Sequence, residues 1–302
     1  MKTRILIFVL ILTASASFAQ QDAQFTQYMY NTINVNPAYA GSRGVMSIFG
    51  LHRTQWVGLD GAPVTNALSL NIPINNINIG IGLSAINDRI GPTVENTLSV
   101  DVSYTVQTSE TYKLSFGVKG TGNFFNLDAS KLNPLVDNDP SLVNYNKFSP
   151  NVGAGVYLHS DKSYVGVSVP NFIQSNRYDS DNVAIFKERI NYYLIAGHVF
   201  DLNPNIKFKP ALLTKLVTGS PLQVDVSGNF MFYEKFVIGA AYRWDAAVSA
   251  LAGFQITDGL YIGYGYDMET TKLRKYNSGS HEVFLRFELF NNYNKIISPR
   301  FF

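Results

Sequence analysis

The sequence predicts an all-β chain: a single-chain transmembrane β-barrel of the outer-membrane type, with about fourteen antiparallel strands (roughly 12–16) and a short N-terminal plug-like segment. Three observations predict it. The chain opens on an export leader. Period-two alternation of apolar and polar residues runs through most of the remaining chain. The polar face of that alternation is rich in Gly, Ser, Thr and Asn and poor in Lys and Glu.

The leader occupies residues 1–19. Lys2 and Arg4 give it a positive start, Ile5 to Leu12 an apolar middle, and Ser17-Phe18-Ala19 a small-x-small end, so cleavage is expected between Ala19 and Gln20. The apolar run is too short to cross a bilayer as a helix. Removing the leader changes the charge balance. The chain has 24 basic and 22 acidic residues, and the leader holds two basic and no acidic ones, which leaves 22 against 22. A balanced chain without a basic stripe gives no support to nucleic-acid binding. There are no cysteines, which excludes disulfides, thiolate catalysis and cysteine-bound metal. No later apolar run is long enough for a membrane helix.

Alternation identifies the strands. Leu98, Val100, Val102, Tyr104 and Val106 fall on one face, and Ser99, Asp101, Ser103 and Thr105 on the other. Leu114, Phe116 and Val118 alternate with Lys113, Ser115, Gly117 and Lys119, and Val283, Leu285, Phe287 and Leu289 with Glu282, Phe284, Arg286 and Glu288. The strands are expected at 45–56, 64–73, 77–88, 96–108, 111–126, 148–160, 162–170, 188–201, 205–217, 222–233, 235–244, 247–256, 259–268 and 280–290. Alternation alone fits a soluble β-sandwich as well. The barrel is favoured by long strands, by a second face of Gly, Ser, Thr, Asn and Tyr with little Lys or Glu, and by aromatics near strand ends. Those aromatics are Tyr104, Phe124, Phe125, Tyr192, Tyr193, Tyr242, Trp244, Tyr264 and Tyr266. Short turns such as Thr257-Asp258-Gly259 and Asn203-Pro204-Asn205 are expected to face the periplasm, and the irregular stretches 127–147 and 171–187 the exterior.

Residues 20–44 do not alternate and are expected to enter the barrel as a plug, the alternative being a periplasmic tail. The domain reading is therefore leader 1–19, plug or periplasmic segment 20–44, barrel 45–290 and C-terminal tail 291–302.

No motif carries chemistry. His52, His159, His198 and His281 are far apart, and none belongs to a metal-spaced pair. There is no nucleophile elbow and no P-loop. No catalytic, cofactor or metal residue is assigned, and the chain is read as a non-enzyme. One polar constellation stands out: Arg243, Asp245, Asp267, Glu282, Arg286 and Glu288. Charges on the lipid face are costly, so these residues are expected to line the lumen and pair with one another. Lys207, Lys209 and Lys215 share one strand face and are candidates to join them.

Several motifs resemble one known family. Gln24-Phe25-Thr26-Gln27-Tyr28-Met29-Tyr30-Asn31, followed by Asn36-Pro37-Ala38-Tyr39-Ala40-Gly41, resembles the opening of PorP/SprF proteins. Arg53-Thr54-Gln55-Trp56 with Gly61-Ala62-Pro63 does too, as do Tyr264-Gly265-Tyr266-Asp267, Gly279-Ser280-His281-Glu282 and the terminal Ser298-Pro299-Arg300-Phe301-Phe302. Thr32 stands where that pattern has Pro. The resemblance implies an outer-membrane protein of Bacteroidota linked to type IX secretion. It implies partners as well: secreted cargo or an adhesin with a C-terminal sorting domain, other components of that system, and outer-membrane lipid. Some such proteins serve gliding motility by helping a large adhesin reach or hold the cell surface. The resemblance supplies no catalytic residues. Two other readings compete: a diffusion channel or small-molecule transporter, motivated by the polar lumen, and an outer-membrane lipid hydrolase, which requires a Ser-His or Asp-His pair within hydrogen-bond reach on the outer rim.

Overall fold

The computed structural model describes residues 25–132, 143–180, 183–187 and 189–289. Ala19, Gln20, Gln24 and the C-terminal Pro299, Arg300, Phe301 and Phe302 lie outside the described residues. Strands in chain order are β1 (Met46–Thr54), β2 (Val64–Ile74), β3 (Ile79–Ile90), β4 (Thr93–Gln107), β5 (Lys113–Leu127), β6 (Tyr145–His159), β7 (Ser163–Val169), β8 (Asn176–Ser180), β9 (Val183–Lys187), β10 (Asn191–His198), β11 (Phe200–Asn203), β12 (Ile206–Val217), β13 (Gln223–Phe232), β14 (Phe236–Arg243), β15 (Ala247–Gln255), β16 (Leu260–Glu269) and β17 (Ser280–Leu289).

Antiparallel pairing runs from β10 through β7 and β6 down to β1, then through β17 to β12, and β12 pairs back onto β10. The ring is thus a closed barrel of 14 strands, and closure pairs edges that lipid would leave unsatisfied. β1, the first strand of the barrel, pairs with β17, the last, from Met46↔Leu289 to Thr54↔His281.

Burial along most strands of the ring is inverted relative to a soluble sheet. Val118 is 60% exposed and its neighbour Lys119 5%; Val100 is 51% exposed and Asp101 0%. Outward side chains are the apolar set, including Leu98, Phe116, Val226, Ile238, Leu285 and Phe287. Inward side chains include Ser99, Ser103, Ser115, Thr65, Asn71, Ser227 and Asn229. A sandwich places its apolar face inside, so this inversion decides between the two readings of the alternation. No helix among the described residues is long and apolar enough to cross a membrane.

Three differences from the expected layout have local causes. The stretch 171–187 is not wholly irregular: β8 and β9 pair as a separate two-stranded hairpin. The strand expected over 188–201 divides at Val199. β10 ends at His198, one residue after its pairing with β12 stops at Gly197↔Ala211, and β11 pairs instead with the lower part of β12, Phe200↔Phe208, outside the ring. β5 and β6 extend further into 127–147 than expected, pairing as far as Leu127↔Tyr145. The connections 55–63 and 270–279, together with the described residues 128–132, 143–144 and 170–175 of two further connections, lie at one end of the barrel, called here the long-loop end. The shorter connections 75–78, 160–162, 233–235 and 256–259 lie at the other.

Candidate functional site: a lumen closed by the N-terminal segment

Residues 25–44 contain no strand. Three short 3-10 turns, Tyr28–Tyr30, Thr32–Asn34 and Pro37–Tyr39, carry the chain. The third has a capping residue in place: the Asn36 side chain accepts from Ala38 N at 3.0 Å, and Pro37 occupies the first position, where no donor is lost. Gln27, Tyr28, Met29, Tyr30, Asn31, Ile33, Asn36, Ala38 and Ala40 are all buried.

This segment touches strands on every side of the ring, which is possible only from inside it. Arg243 reaches Phe25 O at 3.4 Å from β14, and Ser69 Oγ donates to Asn31 Oδ1 at 2.9 Å from β2. Lys119 Nζ on β5 donates to Ile33 O at 3.2 Å and pairs with Asp101 at 3.1 Å. Asn36 Nδ2 donates to Val156 O at 3.0 Å and lies 3.4 Å from Val167 O, while Ser168 Oγ donates to Val35 O at 2.8 Å. Ser103 Oγ on β4 donates to Ala40 O at 2.6 Å. The segment descends from the long-loop end, where Thr26 meets Glu282, to the opposite end, where Arg43 meets Glu288.

Several wall glycines make room for it. A Cβ on Gly117 would stand 2.3 Å from Ala38 N, and one on Gly80 2.1 Å from Ala40 O. Gly41 has φ +72°, and its amide donates to Asn71 Oδ1 at 2.6 Å. A left-handed backbone pressed against Gly80 leaves no place for a side chain there.

The strongest lock is ionic. Arg53 on β1 contacts Asp267 at 2.7 Å and Glu282 at 3.1 Å, and all three side chains are at most 3% exposed. Glu282 also accepts the backbone amides of Thr26 and Gln27, each at 2.9 Å. Asp267 accepts Thr26 Oγ1 at 2.5 Å. One arginine and two carboxylates therefore grip the start of the segment through its backbone. At the opposite end Arg43 Nε donates to Glu288 at 2.9 Å, and Arg286 Nε lies 3.4 Å from the same carboxylate. Between them Tyr30 packs against Phe284 and Tyr261, with Lys209 Nζ 5.3 Å and the Arg286 guanidinium 5.8 Å from its ring centre.

The polar residues singled out in the sequence thus sit in separate places. Asp267 and Glu282 share Arg53, which the sequence reading kept apart from the charged constellation as a motif residue. Arg243 pairs with Asp225 at 2.9 Å. Arg286 and Glu288 join Arg43. Asp245 stands apart in the exposed turn after β14, accepting from the Trp244 indole at 3.1 Å. Of the three lysines on β12, Lys209 lies beside Arg286, Lys207 pairs with Glu234 at 2.8 Å, and Lys215 lies 5.8 Å from the Tyr193 ring centre. The inward period of β1 (Ser47, Phe49, Leu51, Arg53) was the available signal for Arg53. Nothing in the sequence pointed to Asp225 or Arg43.

The motif residues fall on the same machinery. Gln27, Tyr28, Asn31, Asn36, Pro37, Tyr39 and Gly41 belong to the inner segment. Trp56 donates through Nε1 to Glu269 at 2.9 Å and through its amide to Ser280 at 3.1 Å, pinning the connection after β1. Pro63 O accepts Gln55 N at 2.9 Å and closes that connection. Tyr266 donates to Ser278 O at 3.0 Å, and His281 Nδ1 lies 2.6 Å from the Tyr264 hydroxyl.

Among the described residues no three His, Asp or Glu side chains are grouped to hold a metal. A Ser-His contact is present: Ser163 Oγ lies 2.6 Å from His198 Nδ1, at the short-turn end. Asp201 is nearby, engaged by Lys162, whose hydrogen bond holds the Asp201 carboxyl below its usual range.

Among solved structures, the chain resembles the CymD monoaromatic hydrocarbon channel at TM-score 0.50 and 11% identity, covering 89% of this chain and 94% of that one. It also resembles the NanC porin at TM-score 0.44 and 8% identity, covering 81% and 100%. At 11% identity the likeness to the CymD channel speaks to fold alone. No curated protein matches the sequence. A family model described as type IX secretion system membrane protein PorP/SprF matches residues 17–287, and the chain is therefore a member of that family.

Proposed function

We propose that this chain is a non-enzymatic outer-membrane component of type IX secretion. In this reading it assists secretion or surface anchoring of a large secreted adhesin, of the gliding-motility kind, by binding its C-terminal sorting domain. One observation carries the reading beyond family membership: the lumen is filled along its length by residues 25–44, locked by Arg53, Asp267 and Glu282. A filled barrel offers a partner its rim rather than a passage. The connections 55–63 and 270–279 lie at one end, where β5, β6, β7 and β10 also meet their longest connections, and that end supplies the rim. The proposal places this end outside the cell and includes removal of residues 1–19, with cleavage between Ala19 and Gln20. It treats 20–44 as the plug, 45–290 as the barrel and 291–302 as a tail. Partners are the sorting domain, other components of the secretion system and membrane lipid, in a Bacteroidota outer membrane.

The test is deletion of the gene, with surface exposure of the co-expressed adhesin measured by protease accessibility and antibody labelling of intact cells. Loss of exposure, restored by the full chain, supports the reading; normal secretion and attachment overturn it. Affinity isolation from solubilised outer membrane should also recover a chain bearing the sorting domain.

The Ser163–His198 pair keeps a hydrolase reading testable. Its geometry is unfavourable. Ser163 meets Nδ1 of the imidazole, and the nearby Asp201 is committed to Lys162. Covalent labelling of Ser163 by a fluorophosphonate, abolished in Ser163→Ala, would establish that reading in place of the first.

A further inference from the structure

On the outer wall, behind the inner segment, lies a cavity of about 940 Å³. Val102, Val118, Val156, Val167, Leu194 and Leu216 line it from six strands that are consecutive around the ring, β4, β5, β6, β7, β10 and β12. All six side chains carry the outward parity of their strands. A barrel wall is ordinarily convex toward lipid, so a hollow this broad needs a cause. The inner face supplies it. Gly117, Gly155 and Gly166 bring the wall backbone against Asn36, Pro37 and Ala38, closer than any Cβ would allow. Asn36 Nδ2 bridges the carbonyls of Val156 and Val167, which are directly paired across β6 and β7. At the centre stands β7, with 7 residues the shortest strand of the ring. The hollow thus lies on the reverse side of the wall's close contact with the inner segment.

The hollow runs nearly the height of the barrel. Tyr104 stands near the short-turn end, paired with Ile79 and Phe116, and Tyr192 near the long-loop end, paired with Leu216. Both phenols face outward, at the levels where aromatic side chains meet lipid headgroups. Among the described residues no charged side chain lines it. The occupant must therefore be hydrocarbon, elongated along the bilayer normal, and flexible enough to enter a concave wall. A second barrel, convex itself, leaves the hollow empty. We propose that this groove seats the acyl chains of a membrane lipid, held longer than ordinary surrounding lipid, with selection by the chain and not by the headgroup.

The experiment reconstitutes the full chain in phosphatidylethanolamine–phosphatidylglycerol vesicles containing a trace of phosphatidylethanolamine with a diazirine in its acyl chain. After illumination the adducts are mapped by mass spectrometry. The expected result is several-fold enrichment of adducts on 154–169 and 192–194 over the opposite wall at Val248 and Leu285. Val167→Trp, and independently Leu194→Trp, should fill the groove and abolish the enrichment; the heat-dependent gel shift of the closed barrel shows which variants fold. Uniform labelling around the wall overturns the proposal. A photoreactive residue placed at Val167 in cells gives the second arm: a lipid adduct supports the groove, and a crosslink to a protein overturns it.

Discussion

Arg53 and Glu282 lie 229 positions apart in the chain and 3.1 Å apart in the barrel, directly paired across β1 and β17. The strand pair that closes the ring end to end thus also carries the lock on the plug. Closing the barrel and seating the N-terminal segment share the same two side chains.

Arg53→Ala should be among the most damaging single substitutions. It leaves Asp267 and Glu282 as buried carboxylates without their cation. Breaking a buried pair in this way costs about 3–5 kcal/mol. The urea midpoint of the folded barrel should fall accordingly. Glu282→Gln keeps an acceptor for one of the Thr26 and Gln27 amides, which Glu282 receives on separate oxygens, and leaves Arg53 its partner Asp267, so it should cost less. Equal effects of the two would contradict a charge-based lock.

The same substitution should open the lumen. A cysteine at Thr32, which is 4% exposed, should react slowly with a soluble maleimide in the otherwise native barrel. With Arg53→Ala added, labelling should speed up, and single-channel conductance in planar bilayers should rise. Fast labelling of Thr32→Cys alone would show that the segment does not stay seated.

Glycine substitutions separate plug contact from general strand effects. Gly117→Ala places a Cβ against the Ala38 backbone, whereas nothing lies within 4 Å of a Cβ at Gly120 on the same strand. Overpacking of this kind costs about 1–3 kcal/mol. Gly117→Ala should therefore lower the urea midpoint and raise Thr32→Cys reactivity, while Gly120→Ala leaves both near wild type.

Depth in the membrane is testable on β4. Val100→Arg puts a charge in the middle of the outward apolar face and should cost about 2–4 kcal/mol. Asn96 also faces outward but accepts from Asn87 Nδ2 at 2.8 Å, near the long-loop end. Asn96→Arg should cost no more than about 1 kcal/mol at such an interfacial site. Reversed magnitudes in urea titrations in lipid vesicles would move the apolar band.

Much of the barrel was legible because a strand has a period of two, and that period survives in any tertiary context. All fourteen ring strands were found close to their final bounds. The divided strand at Val199 was not, since a break set by where β10 stops pairing leaves no mark on local alternation. The charged constellation was legible as costly residues needing partners, but not as pairs. Asp267 and Glu282 took a cation from β1, more than two hundred residues away.

By itself, the sequence determined that most of this chain alternates, that one face is apolar and that residues 20–44 do not follow the strand period. Alternation alone could not say which face looked inward, because it is symmetric under exchange of inside and outside; strand length and the composition of the polar face favoured the barrel. Only closure decided that: β17, the last strand, pairing with β1, the first, turned the polar face onto an interior. The same closure set Arg53 beside Asp267 and Glu282, and gave the N-terminal segment a lumen to fill.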